Sequence, residues 1–188
     1  MMPWVGSFAG VFIGWLGCAL LLVFPSLSQA GDLPIEAFYG TYEGQAVSPS
    51  ADGNETRNLY FRIGAAEGGV NVTWSTERLS DQKIHIKKTY SIDFEVTDRP
   101  HIFRSMMRED MFGNRLPRDP LKGEPYVWGR IVDRTFTIYA LLITAEGSYE
   151  MQVYHRTLGE GGIDLEFSRY REGEAVRTLR AWCSRIDP

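Results

Sequence analysis

The sequence predicts an all-β fold: an antiparallel up-and-down meander of about 8–10 strands closed into a barrel, with one long loop or short helix. Three observations carry this. After residue 30, apolar residues recur with period two. Clusters of Gly, Asp and Glu interrupt them at hairpin spacing. Stretches with helical period are nearly absent. The 188-residue length, with 44% hydrophobic and 23% charged residues, suits one ordinary globular core after a leader is set aside.

That leader is the first element. From Phe8 to Phe24 every residue is apolar or small, Pro25 breaks the run, and Ser28 and Ala30 supply the small-x-small pattern of a cleavage site. Residues 1–30 therefore read as a cleaved signal peptide and 31–188 as one mature β-barrel domain, periplasmic or secreted, with no membrane span of its own. The alternative is a retained membrane anchor, because no Lys or Arg precedes Arg57. Cleavage would remove Cys18 and leave Cys183 as the sole cysteine, so no internal disulfide is available. Cys183 reads as a buried small hydrophobe on the last strand. All charges follow residue 30, so the net charge of −4 belongs to the domain and speaks against nucleic acid as a partner.

The strands follow in order at 39–47, 57–64, 70–78, 84–97, a short one near Ile102, then 126–132, 135–144, 149–158, 163–171 and 175–186. Val70, Val72 and Trp74 alternate with Asn71, Thr73 and Ser75; Leu59, Phe61 and Ile63 do the same. In the fourth, Ile84, Ile86, Tyr90, Ile92, Phe94 and Val96 share one face. Turns such as Glu67-Gly68, Gly147-Ser148, Glu160-Gly161 and Glu172-Gly173 join neighbours directly. So many sequential hairpins lose their edges by closing into a barrel; a two-layer sandwich is the alternative. Strand 135–144 is apolar on both faces, so either the long loop or another chain covers it.

The interruption at 98–125 is rich in Pro, Gly, Arg and Asp. In its first part Phe103, Met106, Met107 and Met111 fall on one helical stripe, which predicts a short helix plugging the barrel end or a lid over a ligand. Methionine suits a surface that accepts variable apolar shapes.

No nucleophile elbow, metalloprotease helix, phosphate loop or Cys-x-x-Cys is present, and His85, His101 and His155 have no ligand-pair spacing. No catalytic residue, metal or cofactor is assigned. The informative residues are bases on apolar faces. Lys88 interrupts the apolar face of its strand, His155 shares a face with Tyr149, Met151 and Val153, and Arg169 continues the face of Ile163, Leu165 and Phe167. If those faces look inward, Lys88, His155 and Arg169 converge on an anionic group such as a carboxylate, with Tyr90, Trp128, Phe103, Met106, Met107 and Met111 against its apolar part. Otherwise long basic side chains snorkel to water, or a buried Lys pairs with a structural Glu.

The start of the domain, Phe38-Tyr39-Gly40-Thr41-Tyr42-Glu43-Gly44, resembles the first strand of calycin-type barrels: lipocalins, fatty-acid-binding proteins and nitrobindin-like proteins. Those open with Gly-x-Trp, where this chain has Tyr42. The resemblance implies a cup for a hydrophobic ligand, and that a basic residue of the closing strand, Arg177 or Arg180, packs across that aromatic. It does not imply haem, because the haem-binding branch has a histidine near the C-terminus and none follows His155. Three readings remain in order: an exported binding protein for an apolar or amphipathic small molecule, hydrophobic or anionic; a filled structural barrel that meets an envelope protein partner; and, last, an enzyme.

Overall fold

The computed structural model describes residues 31–50, 53–79, 86–109 and 111–187. The segment 1–30, His85 and Asp110 lie outside them. The chain forms β1 (Gly40–Ser50), β2 (Gly53–Ala66), β3 (Gly69–Leu79), β4 (Ile86–Val96), β5 (Ile102–Ser105), β6 (Arg108–Glu109), β7 (Arg115–Leu116), β8 (Tyr126–Val132), β9 (Thr135–Ile143), β10 (Tyr149–Gly159), β11 (Gly162–Arg171) and β12 (Glu174–Arg185). All but β6 and β7 form one antiparallel sheet in the order β1-β12-β11-β10-β9-β8-β5-β4-β3-β2, which closes into a ten-stranded barrel. This is an up-and-down antiparallel meander closed into a barrel, not a sandwich. The closing seam pairs Tyr42 with Arg185 and Gly44 with Cys183.

The hairpins explain the order. Glu172 and Gly173, at φ 51° and 87°, make the two-residue link between the paired Arg171 and Glu174. Positive φ at both positions gives a turn whose twist matches that of the strands. Links of the same length join β2 to β3, β8 to β9 and β10 to β11, so these strands lie beside their predecessors, and right-handed twist brings β12 round to β1.

One end of the barrel is solid. Phe38, in a 3₁₀ turn at Ile35–Phe38, is fully buried and packs on Phe136 at 5.9 Å between ring centroids. Phe103 and Phe94 meet the same ring edge-on at 5.8 and 6.4 Å. Ile63, Val70, Val72, Ile131 and Ile163 complete this dry layer. A Cβ on Gly129 would stand 2.8 Å from the Phe136 ring, so glycine in β8 makes room for the ring on which the plug rests.

The expected helix in 102–112 is absent. Ile102–Ser105 is instead the barrel strand β5, in register with Gly129 through Phe103. Alternation wins because Phe103 turned inward joins the aromatic layer while its backbone pairs on both sides, to β4 and β8. The apolar stripe is split by this choice. Beyond it the chain makes a small β6–β7 ribbon and a 3₁₀ turn at Pro120–Lys122, capped by Asp119 accepting from the Leu121 N–H at 3.0 Å. Because β5 pairs with β4 only through Phe94–Val96, the first half of β4 has no strand neighbour on that side among the described residues. The wall is open there, and the 106–125 insertion runs across the gap, with Met106 N–H donating to Asp93 O at 2.8 Å.

Candidate functional site

Above the dry layer the barrel is hollow. Two adjoining cavities, of about 360 and 340 Å³, share Trp74, Tyr90, Gln152 and Tyr154 in their walls. Each falls in the roughly 300–1,000 Å³ range of small-molecule sites. Register explains the convergence: Phe61, Trp74 and Tyr90 are successive partners across β2, β3 and β4, so their side chains share the inner face. From the opposite wall, Tyr154 and Phe167 are partners across β10 and β11. Trp74 stacks on Tyr90 at 5.4 Å and approaches Tyr154 at 5.8 Å, and Tyr154 lies 4.7 Å from Phe167. These rings form a partition between two chemically different lobes.

The first lobe is basic, lined by Arg57, Lys88, Arg156, Arg169 and Arg177. Two carboxylates offset part of this charge: Glu55 pairs with Arg57 at 2.9 Å, and Glu150 pairs with Arg169 at 3.4 Å and Arg171 at 3.5 Å. Burial, then the neighbouring Arg57 charge, lowers the Arg177 guanidinium below its usual range, because each disfavours its charged form; Glu55, which favours that form, opposes this and Arg169 adds to it.

Arg156 sits deepest, only 1% exposed. Its guanidinium lies over the rings of Phe61 at 5.4 Å and Tyr154 at 5.5 Å, and its Nε and Nη1 have no hydrogen-bond partner. Burial lowers its pKa to about 10, so it remains charged at neutral pH. The same burial raises Tyr154 to about 12, keeping its hydroxyl protonated. That hydroxyl donates to Gln152 Oε1 at 2.9 Å, and Gln152 Nε2 donates to Glu150 Oε1 at 2.8 Å, so the acid of the lobe is tied back into the wall and away from Arg156.

The second lobe is apolar, with Ile92, Val127, Ile138, Ala140 and Leu142 in its lining. Ser91, Ser105, Arg118 and Pro125 also line it, where the insertion crosses the open wall. The two lobes together offer a cationic floor, flat aromatic walls and an apolar extension. Among the described residues no three His, Cys, Asp or Glu side chains group closely enough to hold a metal ion.

Of the residues singled out in the sequence, Lys88, Arg169 and Tyr90 line the basic lobe. Lys88 is not the buried ammonium expected; it is exposed at the lobe's margin, where β4 lacks a neighbour. Arg169 is half-buried beside Glu150. His155 does not join them. It alternates with Tyr154 and Arg156, so it lies on the outer face, with Nδ1 2.9 Å from Thr137 Oγ1. Trp128 is also outside, stacked on Tyr139 at 5.0 Å. Phe103 belongs to the solid end, Met106 and Met107 are half-buried outside both cavity linings, and Met111 is 89% exposed. Arg156, Arg57, Arg177, Trp74 and Tyr154 also line the basic lobe, although none of them is among the ligand contacts expected from the sequence. The face of β10 carrying Met151 and Val153 looked like the inward one, yet the inward face is Glu150, Gln152, Tyr154 and Arg156.

No family model and no curated protein matches this chain. Among solved structures, the S-type phycobiliprotein lyase CPES from Guillardia theta aligns over 82% of this chain and 91% of its own, at 12% identity and a TM-score of 0.32.

Proposed function

We propose that this protein is an exported binding protein for a small amphipathic anion, held with its acidic group at Arg156 and its apolar body along the Trp74–Tyr154 partition into the second lobe. The observation that carries the reading is Arg156. A guanidinium that is buried, charged and short of two partners is costly to fold around, and the cost is offset when a ligand carboxylate or phosphate accepts from the idle N–H groups. Arginine in particular offers a planar fork that pairs such groups in bidentate fashion. The export half of the proposal rests on the apolar run Phe8–Phe24, the Pro25 break and the small residues Ser28 and Ala30.

The test pairs two probes of equal chain length, dodecanoate and dodecanol, on the chain from residue 31 onward. Residues 40–185 contain all ten strands of the closed barrel, so the leader is not needed for closure. Dodecanoate is expected to quench tryptophan fluorescence, with Trp74 in the shared wall, and to bind at least tenfold more tightly than dodecanol. Arg156→Met should abolish the difference. Equal binding of both probes by the unaltered protein would refute the anion assignment, and no binding of either would refute the carrier. Amino-terminal sequencing of protein recovered from outside the cytoplasm tests export: Gly31 is the expected first residue.

A second reading has its own observation. On the outer face of β8 and β9, Tyr126 and Trp128 stand 5.9 Å apart and Trp128 stacks on Tyr139. Such a ladder suits contact with an envelope protein. Light scattering after size exclusion, with and without candidate partners, would reveal a complex in which these rings are covered.

A further inference from the structure

The basic lobe holds its cations at two levels. Arg156 forms the lower one, with its guanidinium over the Phe61 ring at 5.4 Å from the centroid. The upper level is drawn from three strands: Arg169 in β11 and Arg177 in β12 are cross-strand partners, and Arg57 in β2 lines the same lobe from the other wall. Register sets the spacing alike on both walls. Arg57 stands four residues from Phe61 along β2, and Gln152, the partner of Arg169, stands four residues from Arg156 along β10. Four residues of strand span about 13 Å. The one inward position between the levels is Leu59 in β2, Tyr154 in β10, Phe167 in β11 and Leu179 in β12, so an apolar and aromatic belt separates the two sets of cations.

The upper level carries more positive charge than its own wall neutralises. Glu55 and Glu150 stand beside it, and each is shared: Glu55 between Arg57 at 2.9 Å and Arg78 at 3.2 Å, Glu150 between Arg169 at 3.4 Å and Arg171 at 3.5 Å. Neither carboxylate lines the lobe, whose lining has five bases and no acid. Arg57 and Arg169 each keep a buried Nε without a hydrogen-bond partner, the contact of Arg169 with Glu150 lying outside hydrogen-bond geometry. Setting Arg169 directly opposite Arg177 is itself unfavourable, because like charges facing across a strand pair repel. An acidic group accepting from these guanidinium groups would relieve both costs.

We infer that the ligand is an elongated dianion, with one acidic group at Arg156, the second against Arg169 and Arg177, and an apolar middle along the belt between them. This rests on the ligand reading above and narrows it: the lobe selects for two negative charges set apart by the distance between its levels. A side branch of the apolar body still has the second lobe beyond the Trp74–Tyr154 partition.

The test titrates the chain from residue 31 onward with dodecanedioate and with its monomethyl ester, which lacks the charge at one end, following tryptophan fluorescence. The dianion is expected to bind about tenfold more tightly than the ester. Hexanedioate is too short to join the two levels, so it should show no preference over its own monomethyl ester. The double change Arg169→Gln, Arg177→Gln should bring dodecanedioate and its ester to within about twofold of each other. The comparison of chain lengths needs no variant, so it decides the question even where the substitutions disturb the fold. Equal binding of dodecanedioate and its ester by the unaltered protein overturns the inference. So does a preference that hexanedioate shows as strongly, which would mark a general positive field, or one that survives the double change. If dodecanoate still binds in any of these cases, the ligand reading stands without the second acidic group; loss of every probe, dodecanoate included, brings down both.

Discussion

Arg185, near the end of the last strand, lies over the ring of Tyr42 in the first, with its guanidinium carbon 5.3 Å from the ring centroid and its Nη2 donating to the tyrosine hydroxyl at 2.6 Å. That hydroxyl in turn donates to Phe38 O at 2.9 Å, and Arg185 Nη2 also donates to Ala37 O at 3.2 Å. The pair therefore does two jobs. It locks the closing seam of the barrel and clamps the 3₁₀ turn that plugs its solid end. The resemblance to calycin barrels implied a basic residue across this aromatic at Arg177 or Arg180. The structure gives that position to Arg185, because the seam register sets Tyr42 opposite Arg185. Arg177 lines the basic lobe, and Arg180 pairs with Glu166 at 2.7 Å.

Tyr42→Phe removes one hydroxyl that serves two partners, and Arg185→Ala removes both the ring contact and the bond to Ala37. Each is expected to destabilise the fold by about 1–3 kcal/mol, and the double variant by less than their sum, since they act through one network. Urea unfolding of the four proteins measures this, and dodecanoate affinity should be unaffected in all of them.

Arg156→Met should move stability and binding in opposite directions. Methionine nearly matches the arginine stem in volume and removes a buried charge with idle donors, so the empty protein is expected to gain about 1–3 kcal/mol in urea unfolding. Anion affinity should fall at least tenfold in the same variant. A structural arginine would give a destabilised protein with unchanged binding.

Acid should selectively weaken the clasp between the chain's end and β1. Hydrogen bonds from the Thr41 side chain and backbone hold the Asp187 carboxyl below its usual value of 3.8. A carboxyl lowered in the folded state stabilises it above the unfolded value, and this contribution fades as pH falls through the folded one. The stability gap between the parent and Asp187→Asn should therefore be constant at neutral pH and close as pH drops below 3.8. A gap independent of pH down to the acid transition would show that the carboxylate is not the source.

Cys183 should be chemically quiet. It is fully buried, and burial raises its thiol to about 11, with the Arg156 charge opposing only in part. The thiolate that alkylating agents require is scarce at neutral pH. Iodoacetamide is expected to leave the native protein unmodified and to label it fully in urea, read by mass spectrometry.

Local chemistry along the chain determined the strands, the turns and the meander order: period-two alternation and positive-φ turn residues act within a few positions of one another, so 126–132 could be read from the residues alone, and 135–144 to within one residue of the observed Thr135–Ile143. The placement of Lys88 and Arg169 on inward faces was legible for the same reason. What only the tertiary structure decided is which face of β10 turns inward and where the stripe of Phe103, Met106, Met107 and Met111 goes. An apolar-inward rule chooses Met151 and Val153, but this barrel surrounds a polar hollow on that side and carries an aromatic ladder outside, so Tyr154 and Arg156 point in and His155 points out. Likewise a helical stripe gives way when its first residue can complete an aromatic layer assembled from β4, β9 and the plug. Faces and partners of this kind depend on what stands across the barrel, which no short window of sequence contains.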